Sequence, residues 1–262
     1  MAVRSLTTAA SGMSAMQTKV DTIANNLANV STTGFKRDRN DFSDLIYQES
    51  RRAGILTPTQ NRTPIGIQMG TGVRTAGVSK EHEQGPLIQT GNQFDWAIQG
   101  EGFFQVQIQQ GIIAYTRDGS FFRDGEGNVV TAEGYLLEPA ISVPQNVVRV
   151  EMGRDGTLTQ FDDTGAEVGQ SQLQLARFPN PLALEALGDN LYISNPDATG
   201  AVQTGVPGST GFGIILGRFL EGSNVNVVNS MVDLIKSQRA YEFNAKTVQA
   251  SDEMLRQAAN LS

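Results

Sequence analysis

Two stretches almost 200 residues apart carry the same seven-residue apolar repeat. In the first, Leu6, Met13, Val20 and Leu27 recur every seven positions, interleaved with Ala9, Met16, Ile23 and Val30. In the second, Val227, Leu234, Tyr241, Val248 and Leu255 do the same. A 3–4 spacing lays one stripe along one side of a helix, and that stripe must be buried against another helix. A chain with such a seam at both ends and a different middle is built to join its ends to each other or to neighbouring copies. Leu6, Met13, Val20 and Leu27, with the five residues of the second stretch, are the expected assembly seam.

The first seam ends in a conflict. Asn25, Asn26 and Asn29 sit among seam residues Ile23, Leu27 and Val30. Each asparagine costs a helix roughly 0.5 kcal/mol or more against alanine. Either they lie on a solvated face at a frayed helix end, or their amides bond to adjacent subunits. Gly34 fits a helix C-cap, and Phe35 an apolar anchor just beyond it.

The middle has another character. Glycine is 28 of 262 residues, where average usage gives about 18. That surplus points to turns. Strands are expected at 103–108, 112–117, 128–131, 134–137, 147–152, 157–161, 172–178 and 191–194, several separated by Gly turns at Gly111, Gly125, Gly156 and Gly165. Trp96, Phe103, Phe121, Tyr135 and Phe178 are the expected core. Residues 36–46 read as a helical turn or an extended segment. Residues 47–75 alternate Ile65, Ile67 and Met69 between Pro and Gly and read as an extended ribbon or a surface loop. The fold class is thus α+β: residues 1–35 and 222–262 form a helical coiled-coil layer, 36–75 a connector, 76–194 a β domain, and 195–221 a Gly/Pro-rich return linker. A cap from Ser223, Asn224 or Asn226 opens the last helix, which runs to about Ala259.

Charge and composition narrow the function. A net charge of −7 argues against nucleic acid as a partner. The cluster Lys36, Arg37 and Arg39 is interrupted by Asp38 and Asp41 and reads as a solvated loop. Cysteine is absent, so no disulfide is expected. Residues 1–20 include Arg4, Gln17 and Lys19 and lack the apolar core of a cleaved secretory signal.

Catalytic patterns are missing from the sequence. His82, the single histidine, lies between Glu81 and Glu83 and reads as a surface residue. Gly100-Glu-Gly102 precedes a strand-like run, not the helix a dinucleotide loop needs. Asp124 to Asn128 resembles a calcium loop, but Val129 and Tyr135 stand where Gly and Glu are required. No catalytic, cofactor or metal site is therefore expected. The rival in another class is a peptidoglycan hydrolase with paired carboxylates among Glu101, Asp118 and Glu138. An adhesin or phage-tail-like protein would share the β middle but has no need of paired terminal seams.

Four motifs carry a family resemblance. The run Ala24-Asn-Asn-Leu-Ala-Asn29 with Ser31-Thr-Thr-Gly-Phe-Lys36 resembles the N-terminal signature of the bacterial flagellar axial (rod and hook) proteins. Glu221 to Ile235 with Gln238 to Lys246 is similar to the matching C-terminal signature. Ile98 to Val106 and Tyr115 to Phe121 are similar to the core motifs of the rod and hook subgroup, and Gly66 to Val73 resembles the insertion of the distal-rod members. The resemblance implies a non-enzymatic subunit of the distal part of the flagellar rod, polymerising into a rigid helical tube that transmits torque to the hook. The other large rod subunit and a hook-type subunit are the alternatives within the family. Implied partners are further copies of the chain, proximal rod proteins, hook protein and the outer-membrane and peptidoglycan ring proteins. Export without a cleaved signal, through the flagellar type III apparatus, is implied as well. Pro64, Ile65, Ile67 and Met69 are expected to stiffen the rod.

Overall fold

The computed structural model describes residues 2–52, 65–108 and 111–260. Pro64 and the rest of 53–64 lie outside the described residues. The fold is α+β, with an N-terminal helix, a β-rich middle and a C-terminal helix. The chain divides into two compact units. One comprises Met1–Leu27, Asp38–Ser79 and Asn226–Ser262; the other comprises Ala28–Arg37 and Lys80–Val225.

The first unit is built on the helices Ala2–Ala28 and Val227–Asn260. Hydroxyls inside the first helix bond back to carbonyls one turn earlier: Thr7 to Arg4, Ser11 to Thr8, Thr18 to Ser14 and Thr22 to Thr18. Their side-chain polarity is thereby met within the helix. The second helix starts where Asn226 Oδ1 accepts from Asn229 N at 3.0 Å, so Asn226 is the cap among the three expected candidates. The two helices meet antiparallel through small residues. Ser5 Oγ lies 2.9 Å from Ser251 Oγ, and a Cβ on Gly12 would come within 2.8 Å of Asn244 Nδ2.

Strands Asp38–Asp44 and Val73–Lys80 pair in this unit, as do Gln48–Arg51 and Ile67–Met69 in antiparallel register. The stretch 36–46 is thus extended. Val73 N donates to Ser11 Oγ at 3.3 Å, which ties the base of this segment to the N-terminal helix.

The second unit holds a seven-stranded antiparallel sheet. Its order is Glu185–Gly188, Leu191–Ile193, Ile113–Thr116, Phe104–Gln107, Leu136–Glu138, Val129–Val130 and Phe122–Arg123. A meander of Arg149–Met152, Thr157–Phe161 and Glu167–Gln172 stands beside it. Trp96, Phe104, Phe121, Leu137, Leu158 and Ile215 are fully buried in one core. Phe103, Tyr115, Phe178 and Tyr192 form a smaller aromatic cluster with edge-to-face contacts. Tyr135, expected inside, is only partly buried.

The stretch 195–221 is not a linker. It contains the short helix Pro196–Thr199 and the strands Gln203–Gly205, Ile214–Gly217 and Phe219–Glu221. Pro207, Gly208 and Gly211 sit at turns, while Gly205 and Gly217 lie in strands; Ile214 to Gly217 pair along Gln99 to Trp96 and sink Ile215 into the core.

Gly34 is a correction too. The helix ends at Ala28, six residues earlier, so Gly34 is not its cap. With φ of 68° it lies against the backbone of Arg117 and Asp118, where a Cβ would meet Asp118 N at 2.6 Å. Phe35 is buried as an anchor, with Lys80 Nζ 5.2 Å from its ring centre.

Asn26 shows what the asparagine run does inside the chain. Its Nδ2 donates to Asp38 O at 2.8 Å, and its Oδ1 accepts from Asp38 N at 2.7 Å. One buried amide thus holds the first residue of the returning strand by both backbone groups. Asn26→Ala should therefore destabilise this unit by about 1–3 kcal/mol despite roughly 0.5 kcal/mol of gained helix propensity. Hydrogen exchange at the Asp38 amide should speed up accordingly. The exposed Asn25, changed to Ala, should stay within about 0.5 kcal/mol.

Candidate functional site: a buried ionic clasp and an open helix face

Glu221 ends its strand inside the second unit with no side-chain exposure. Its Oε1 accepts from Lys36 Nζ at 2.6 Å and from Gly85 N at 2.9 Å; its Oε2 accepts from Arg117 Nη1 at 3.4 Å. Lys36 Nζ also donates to Glu83 O at 2.7 Å, and Arg117 Nη2 to Gly100 O at 2.8 Å. Gly34 N donates to the Glu221 carbonyl at 2.8 Å. Asn224 completes the joint. Its Oδ1 accepts from Arg37 N at 2.8 Å, and its Nδ2 donates to Glu81 O at 2.8 Å and Glu83 O at 3.2 Å. Arg37 makes a short ion pair with Glu81.

Lys36 is therefore no part of a solvated loop: it is among the most buried side chains of the chain. Burial pulls its pKa below the ordinary lysine value, against the opposing pull of Glu221. Burial likewise lowers Arg117, and Glu221 again opposes. Ionised groups survive inside a protein when a counter-charge and fixed hydrogen bonds replace water.

His82 is a further correction to the expected surface residue. It packs edge-on against Phe103 and Tyr192, with ring centres at 5.6 and 5.7 Å. Burial, then the charges of Lys36, Arg117 and Lys80, push its pKa down to about 4. The imidazole is neutral at neutral pH.

The candidate carboxylates have other duties. Glu101 Oε2 pairs with Arg177 Nε at 2.7 Å. Asp118 accepts from Ser120 N at 3.0 Å, and burial raises its pKa. The Asp124 turn is closed by Asp124 Oδ1, which accepts from Glu126 N and Asn128 N, as in a tight hairpin.

The seam residues take up mixed positions. Leu6, Met13, Val20 and Leu27 are half-buried, as are Leu234, Val248 and Leu255; Val227 and Tyr241 are exposed. Val20 and Tyr241, one from each seam, line one groove of about 500 Å³. Asn29 bonds Thr32 through Oδ1 at 3.2 Å. Ile65, Ile67 and Met69 are exposed. Sequence reading missed a second set spaced by seven, Ser230, Ser237, Asn244 and Ser251, of which Ser237 and Ser251 are the most buried residues of their helix. The repeat was visible in the sequence, but its small polar members gave no hydrophobic signal. It also missed Val228, Met231, Val232 and Ile235, which form an exposed apolar stripe at 70%, 50%, 45% and 51% accessibility.

Two changes test this site. Glu221→Gln leaves Lys36 and Arg117 without a counter-charge and should cost about 3–5 kcal/mol in urea unfolding. The His82 shift sets a pH window. Its folded pKa lies below the ordinary 6.5, so its contribution to stability is intact above pH 6.5 and falls as pH drops towards about 4. The loss should reach about 3 kcal/mol at most. His82→Gln should remove that component, measured as the difference between parent and variant stability at pH 7 and pH 4.5.

Three family models match the chain. They are a flagella basal body rod protein model over residues 6–36, a flagellar hook protein FlgE/F/G D1 domain over 97–160, and a flagellar basal body rod FlgEFG protein C-terminal model over 217–261. Lys36, Arg117 and Glu221 fall one in each. Among curated relatives, the flagellar basal-body rod protein FlgG of Buchnera aphidicola subsp. Schizaphis graminum is 43% identical over 99% of this chain and 100% of the relative. FlgG of Agrobacterium fabrum is 43% identical over 96% of the chain and 97% of the relative. FlgG of Borreliella burgdorferi is 43% identical over 99% and 98%. The chain belongs to the FlgG family of flagellar basal-body rod proteins.

Proposed function

We propose that this chain is a structural subunit of the distal part of the flagellar rod, and that many copies stack into a rigid helical tube carrying torque to the hook. The family is a structural one, which agrees with the absence of catalytic patterns from the sequence. Heterologous contacts that do not close into a ring generate such a filament. One observation carries the reading beyond the family name: the stripe Val228, Met231, Val232 and Ile235 lies exposed on the C-terminal helix. An apolar stripe at helical spacing is stable in water only when another surface covers it. In the tube, further copies supply that cover, and the terminal seams pack as a coiled-coil layer.

The remaining roles are those that the family resemblance implies. Proximal rod proteins sit on one side and hook protein on the other, with the outer-membrane and peptidoglycan ring proteins around the shaft. The chain reaches its place unfolded, through the flagellar export apparatus. The exposed Ile65, Ile67 and Met69 belong to a ribbon that stiffens the tube by lying on a neighbouring subunit.

The test is Met231→Ser with Ile235→Ser. The double variant should keep the near-ultraviolet circular dichroism of Trp96, because no residue of the β core is touched. Its basal bodies should lack the distal rod, and cells carrying it as their only copy should not swim. Normal rods in electron micrographs of that strain would refute the proposed stacking surface.

A further inference from the structure

A hollow of about 210 Å³ opens beside the clasp, lined by Arg117, Arg177, His82, Phe103 and Phe178, with Glu101 at its wall. The charges around it do not balance. Lys36 and Arg117 share one carboxylate, Glu221, and Glu101 is neutralised by Arg177. Glu101 also acts on Arg117, so the one positive charge left over is shared among the buried Lys36 and Arg117 and the half-exposed Arg177. The carbonyls of Glu83 and Gly100 bring dipoles but no charge. Arg117 Nε has no hydrogen-bond partner among the described residues, and neither has His82 Nδ1. A buried surplus cation is costly until an anion joins it.

We propose that this hollow binds a small carboxylate-type anion. Guanidinium groups suit planar oxyanions, because their N–H donors match two oxygens at once. The volume equals roughly seven waters at about 30 Å³ each, enough for an acetate-sized group with some hydration. The Phe103 and Phe178 rings give its carbon end an apolar wall. The anion also changes the balance at His82. Lys36, Arg117 and Lys80 disfavour a charged imidazole, Arg177 and Glu101 face it across the hollow as a neutral pair, and Phe103 and Tyr192 flank the ring. A negative charge beside Nδ1 offsets the cations, so binding draws a proton onto His82. The carboxylate is either free in solution or an Asp or Glu side chain of a second copy.

His82 is the one histidine, so its ring proton resonance reports this hollow alone. The full chain, dilute, is titrated with sodium acetate against sodium chloride at constant ionic strength. Acetate should shift the His82 resonance saturably and raise its titration midpoint by at least one pH unit. Arg177→Gln, which lies outside the clasp, should weaken that response at least tenfold while leaving the thermal midpoint within a few degrees. In a second arm, protein concentration is raised without acetate. A His82 shift there that Arg177→Gln abolishes assigns the carboxylate to a second copy. The proposal is overturned if His82 responds in neither arm, or responds equally to both salts and in the variant.

Discussion

The carboxylate of Glu221 is the point on which the second unit depends. It is the one anion shared by two buried cations, and its strand is also paired with Leu87–Gln89. Coulomb attraction across a few ångströms is strong when water is excluded, but ions resist leaving water in the first place. The geometry resolves that conflict with fixed partners: two side-chain cations and a backbone amide on the carboxylate, two carbonyls on the cations. The β core around Trp96 supplies the apolar burial, and the clasp fixes which segments meet there.

The first unit works on a different principle. Its helices approach through Ser5, Gly12, Asn244 and Ser251, where small side chains let the backbones come close. The large apolar residues stand beside that line, and several remain in contact with solvent. Such an arrangement contributes modest burial within one chain and leaves apolar side chains such as Val228 and Ile235 in contact with solvent. The β unit thus carries the buried apolar core, and the helical unit keeps much of its apolar surface on the outside.

All eight expected strands recur, Thr157–Phe161 with its expected bounds and the others with shifted ends, because they are short apolar-rich runs, several of them bounded by Gly turns. Strand Asp38–Asp44 was ambiguous because it is almost entirely polar and half-exposed, so periodicity carried little signal. Phe219–Glu221 was hidden by its Gly-rich surroundings. The clasp was illegible for a stronger reason. Lys36 meets a partner 185 residues away, and local charge counting placed it in water. Family motifs marked Lys36, Arg117 and Glu221 as belonging to signatures, yet nothing in their spacing said that they touch. His82 was misread the same way, since its glutamate neighbours in sequence hide the aromatic rings that enclose it in space. The asparagine run was legible as a conflict, and Asn26 resolves its part of it within the chain.

The spacing of the clasp along the chain also sets an order of events. A polypeptide delivered from its first residue has Lys36 and Arg117 in place long before Glu221 follows. Until then, closing the β unit would bury two cations with no counter-ion, at several kcal/mol each. A partial chain therefore has a reason to stay open, and the arrival of residue 221 removes it.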